Sequence, residues 1–103
     1  MNNENFMIEV EAAFLRSKRV LLRKQEEYAS GNDRLEQFYR AGSAQNIEST
    51  QALIGMAMKH VTSIADMSKH PTLYNSKKWR EKLTDLRNYT FLLDALLIDL
   101  GIE

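Results

Sequence analysis

The chain has 103 residues, enough for one hydrophobic core and too few for two. Its 14 lysines and arginines balance 14 aspartates and glutamates, so the summed charge gives no reason to expect a nucleic-acid partner or an electrostatic membrane anchor. Cysteine is absent, which excludes a disulfide framework, thiolate zinc sites and cysteine nucleophiles.

The opening MNNENFMIEV does not have the basic-then-apolar order of a signal peptide, and no apolar run approaches the ~18 residues of a membrane span. A soluble, intracellular protein with no membrane partner is expected. One proline and four glycines among long runs of good helix formers predict an all-α fold of one domain over residues 1–103. Breakers fall at SGND (30–33), GSAQNIEST (42–50) and KHPTLYNSKK (69–78), which predicts four helices at 4–30, 33–43, 49–69 and 76–100.

In the first helix Phe6, Val10, Ala13, Phe14, Ser17, Leu21 and Tyr28 recur at steps of three and four and define the predicted core face, with Lys24 at its centre. An ammonium there needs an anion, either Asp85 or Glu81 or the phosphate of a ligand. Arg16, Lys18, Arg19 and Arg23 surround the helix and read as a solvated surface, with a nucleic-acid contact as the weaker alternative.

The second breaker leads to a helix with two apolar stripes. Leu53, Met56, Ala57, Ile64 and Met67 form one, and Ile54, Met58, Val61 and Ala65 the other, an arc wide enough to predict burial between several helices. His60 lies within the first stripe, as a satisfied core histidine or as a base or ligand, and Lys59 lies in the polar row Gly55, Lys59, Thr62 and Asp66. In the last helix Trp79, Leu83, Leu86, Thr90, Leu93 and Leu97 make the predicted core face, while Phe91 and Ile98 point away from it and suggest a homodimer contact.

The stretch EKLTDLRNY places Glu81, Asp85 and Asn88 on one row that continues into Leu92 and Ala95. A polar row running into an apolar one predicts a partly buried site. Carboxylates held there suit Mg²⁺, which takes one or two protein carboxylates and completes its shell with waters and substrate phosphates. The same row serves equally well as an internal hydrogen-bond network with Lys24 or Lys59.

The order KQEEY, RLEQF, MAMKH, EKLTDLRNY and LLDALL, over roughly residues 21–100, resembles a small phage-encoded family related to the nucleotide modification associated domain. Its marks here are Lys24 and Tyr28, Leu35 and Phe38, Lys59 and His60, and Glu81, Asp85, Asn88 and Tyr89. That family is similar in turn to the MazG-like all-α nucleotide pyrophosphohydrolases, helical bundles that bind nucleoside triphosphates through Mg²⁺ as dimers or tetramers. The resemblance implies a MazG-like four-helix bundle, homodimeric, in the cytoplasm of a phage host. Lys24 and Lys59 would contact phosphate, Glu81 and Asp85 would meet a metal, and Tyr28, His60, Asn88 and Tyr89 would line a polar site.

This sequence departs from the pattern in two places. EYA stands at 27–29 where the larger family has DYG, and Lys82 stands where the last carboxylate pair of the pyrophosphohydrolases has its first acid. The third helix carries no acid except Asp66, which leaves Glu27 or Glu48 as recruits. The expectation is therefore a nucleotide- or phosphometabolite-binding accessory protein and not an Mg²⁺-dependent triphosphate pyrophosphohydrolase. A small phage protein that inhibits a host factor, such as a defence nuclease, is the alternative.

Overall fold

A computed structural model of the chain describes residues 1–27 and 33–102, the side chains of residues 25–27 excepted. Among the described residues there are four α-helices and no strand: α1 (Asn3–Glu27), α2 (Glu36–Gln45), α3 (Ser49–Ser68) and α4 (Ser76–Asp99), with one 3-10 turn at Pro71–Leu73. The all-α class and the four helices expected from the breakers are both found. No helix among the described residues is long and apolar enough to cross a membrane.

Local chemistry sets most of the helix ends. Asn75 caps α4, its Oδ1 accepting from the Lys78 backbone N–H at 2.9 Å. A capping box opens α3, where Gln51 Oε1 accepts from the Glu48 N–H at 3.0 Å. Asn46, at φ 55°, takes the left-handed conformation that ends α2. Helix α2 starts three residues later than predicted, because Asp33 Oδ1 accepts from the Leu35 N–H at 2.8 Å and closes a turn ahead of the helix. The predicted end of the first helix at residue 30 lies outside the described residues.

Helix α3 packs between α2 and α4, and α1 packs against α4 alone. The core is a cluster of Phe38, Leu53 and Leu96, one residue from each of α2, α3 and α4, with Met56, Tyr89, Leu92 and Leu93 packed on it. At the far end of α4 the Tyr39 hydroxyl donates to the Asp99 carboxylate at 2.6 Å, and that bond is the main reason its pKa is pushed up to about 12.

Three sequence expectations change in this arrangement. Ile54, Met58, Val61 and Ala65 are exposed, because only two helices flank α3 and neither reaches its second stripe. On α4 the buried positions are Thr84, Asn88 and Leu96, whereas Leu83 and Thr90 are exposed. Phe91 is half-buried against α1, its ring 6.1 Å from that of Phe14, while Ile98 stays 76% exposed. The physical reason is that α4 is covered by α3 on one side and α1 on the other, so its buried band is centred on the polar row between two apolar ones. On α1, Ser17 is fully buried and Val10, Ala13 and Leu21 half-buried, but Phe6 and Phe14 are each 54% exposed.

Candidate functional site

The row singled out in EKLTDLRNY grades from solvent to interior: Glu81 is exposed, Asp85 half-buried and Asn88 buried at 6% exposure. Asn88 reaches α1, where its Nδ2 donates to the Ser17 carbonyl at 3.3 Å. A carbonyl can only accept, so this bond fixes the amide and turns Oδ1 the other way. Oδ1 is buried and finds no partner among the described residues, a state that costs about 1 to 3 kcal/mol.

Asn88 lines a cavity of about 210 Å³ to which all four helices contribute. Helix α1 supplies Val20, Leu21 and Lys24, α3 supplies His60, and α4 adds Asp85, Tyr89 and Leu92. The turn before α2 supplies Arg34, and the start of α2 supplies Gln37. His60 Nδ1 lies 3.9 Å from Asp85 Oδ2, and its ring centre lies 5.2 Å from that of Tyr89. Arg34 donates through Nη2 to the Leu21 carbonyl, and its Nε is a second buried atom without a partner among the described residues.

Of the residues expected at a site, Lys24, His60, Asp85, Asn88 and Tyr89 line one cavity. Lys24 is not at the centre of a buried face. It is exposed at the cavity mouth, and among the described residues Asp85 pairs with His60 instead of with it. Lys59 is exposed and lines neither this cavity nor the groove described next. Tyr28 and the Glu27 side chain lie outside the described residues.

An open groove of about 970 Å³ adjoins the cavity and shares Val20, Lys24 and Asp85 with it. Glu81 lines this groove and not the cavity. Behind it Arg87 donates through Nε to Ser17 Oγ at 3.0 Å and through Nη2 to Thr84 Oγ1 at 3.1 Å. Burial first, and the Arg16 guanidinium second, hold Arg87 below the ordinary arginine pKa.

Among the described residues no three of His, Cys, Asp and Glu converge, Asp85 is turned to His60, and Glu48 sits in the capping box of α3. The sequence reading missed Arg34, Gln37, Ser17 and Arg87. Ser17 carried a signal, as the one serine on the predicted apolar face of the first helix, since a buried hydroxyl must be bonded. Arg34 and Gln37 had only their places within RLEQF, and Arg87 had none beyond its place within EKLTDLRNY. Compared with known proteins, the chain matches no family model, no curated protein and no solved structure.

Proposed function

We propose that the protein binds a nucleotide or a related phosphorylated small molecule without hydrolysing it, in the manner of an accessory protein of a phage. The carrying observation is the pair of unpartnered buried atoms, an acceptor on Asn88 and a donor on Arg34, on residues that line a cavity with the His60 and Tyr89 rings. A base offers both a donor and an acceptor on its edge and a flat face for the rings. The cavity of 210 Å³ falls short of the roughly 300 Å³ at which pockets for whole ligands begin, so it suits a ring and leaves the phosphates at Lys24 and beyond. The motifs behind the family resemblance support the same reading, because five of their marked residues meet at this cavity.

A thermal-shift series with nucleoside mono-, di- and triphosphates in EDTA tests it. A ligand at about 100 times its Kd adds about 2.7 kcal/mol. For a domain of this size that raises Tm by roughly 10 °C or more. Lys24→Ala, an exposed change, should leave the apo Tm within about 0.5 kcal/mol and remove most of the ligand shift. If no nucleotide shifts Tm, the reading fails.

A second reading rests on a separate observation. The accessible surface is 7810 Å², against about 5,900 Å² for a compact monomer of this mass, and the exposed apolar residues Phe6, Met7, Phe14 and Leu15 on α1 are part of the excess. That excess, roughly 1,900 Å² on one chain, is more than the ~800 Å² that each partner of a standard dimer buries. We infer a homodimer through α1, to be checked by sedimentation at micromolar concentration. A monomer that instead captures a host protein through this face would support the inhibitor alternative.

A further inference from the structure

Six cationic side chains line the groove between α1 and the first half of α4: Arg16, Arg19, Arg23 and Lys24 on one wall, Lys77 and Arg80 on the other. Two carboxylates, Glu81 and Asp85, share it, and Asp85 Oδ2 lies 3.9 Å from His60 Nδ1. Among the described residues none of the six cations makes an ion pair. Arg16, Arg19 and Arg23 stand three and four residues apart, which makes them one stripe of α1, and Lys18 alone falls off it toward the Phe14 side. Six of the fourteen lysines and arginines of a chain with no net charge thus line one concave surface.

An independent observation points to a ligand there. Arg16 Nε is buried without a partner, and the neighbouring Arg87 is bonded only to the neutral hydroxyls of Ser17 and Thr84. The two guanidinium groups repel each other, and among the described residues neither has a carboxylate to offset the repulsion, which an oxyanion would relieve.

We propose that this groove is a track for the sugar–phosphate backbone of a single-stranded nucleic acid, and that the base held by the cavity is carried on that strand. The second clause rests on the proposed function, and the first does not. One phosphate cannot engage cations that run from Arg16 to Lys24, about 12 Å of helix, with a second row on the facing wall. The strand is single because the groove opens into a ring-sized cavity through Val20, Lys24 and Asp85, and only an unstacked base can turn into it. Balanced overall charge does not oppose this, since the backbone responds to the local field.

The test is fluorescence anisotropy with a labelled oligothymidylate of about 12 nucleotides, titrated over a range of salt. Neutralising four to six phosphates on a single strand gives a slope of log K against log salt of about −3 to −4. Arg19→Glu combined with Arg80→Glu, both exposed, should weaken binding at least about tenfold with the melting curve unchanged, while Lys59→Glu should bind as the parent does. Binding that survives the double reversal, or a duplex of the same length bound equally well, overturns the proposal. Nucleotide-induced stabilisation with no oligonucleotide binding sinks the groove and leaves the cavity reading intact. Oligonucleotide binding lost on charge reversal, without any mononucleotide shift, upholds the groove and removes the cavity reading.

Discussion

Replacing Phe38 with alanine should remove about 3 to 5 kcal/mol of stability, the largest loss expected from a single truncation in this protein. Phe38 has no exposed surface, and it is the residue through which α2 joins Leu53 of α3 and Leu96 of α4. The truncation forfeits the transfer energy of the ring and leaves a void between three helices that touch no other shared cluster. Domains of this size are stable by roughly 5 to 15 kcal/mol, so the loss takes about a fifth of the total at the least. Thermal denaturation should show Tm lower by at least about 12 °C. Phe14 makes the contrast: half in solvent, with its ring tilted against that of Phe91, it should cost well under half as much when truncated. Equal losses at the two positions would mean that α1 belongs to the core as fully as α2.

The second large effect is a difference of sign between two glycines. A Cβ on Gly42 would lie 2.9 Å from the Ile47 carbonyl oxygen, 3.1 Å from the Ser49 nitrogen and 3.2 Å from the Ser49 Cα. All three are backbone atoms of the connection to α3, which is itself tied back by the Ile47 N–H to the Gly42 carbonyl at 2.9 Å. Nothing there is a flexible side-chain end, so the connection must move. Gly42→Ala gains about 1 kcal/mol of helix propensity and loses about 1 to 3 kcal/mol to overpacking, for a net loss. Gly55, also inside a helix, is exposed, and a Cβ there meets nothing within 4 Å. Gly55→Ala should therefore stabilise by about 0.5 to 1 kcal/mol. Urea denaturation of both variants would show midpoints moving in opposite directions at unchanged slope. Two shifts of the same sign would contradict the packing of α2 on α3.

The cavity explains why EKLTDLRNY reads ambiguously. Its polar row is both an internal network, through Asn88 and Ser17, and the wall of a cavity, through Asp85 and the free Oδ1 of Asn88. The two alternatives posed by the sequence are successive depths along one helix face.

What the sequence determined by itself was local. Helix class and most boundaries follow from propensity and from caps such as Asn75 and Asn46, because those interactions close within a few residues. The first stripe of α3, Leu53 to Met67, was also legible, since a single apolar row must be buried somewhere. Where two rows competed, the pattern was silent. Ile54, Met58, Val61 and Ala65 looked as buried as their neighbours, and only the number of helices around α3 left them in solvent. Lys24 looked central until α1 proved to pack on one helix alone, which puts it at a cavity mouth. The groove was the least legible feature. Arg16 and Arg80 are far apart in the chain, and composition sums their charges with those of every acid, wherever it lies. Only the packing of α1 against α4 decides which charges share a field, because electrostatic interaction depends on distance in space and is screened beyond about 10 Å.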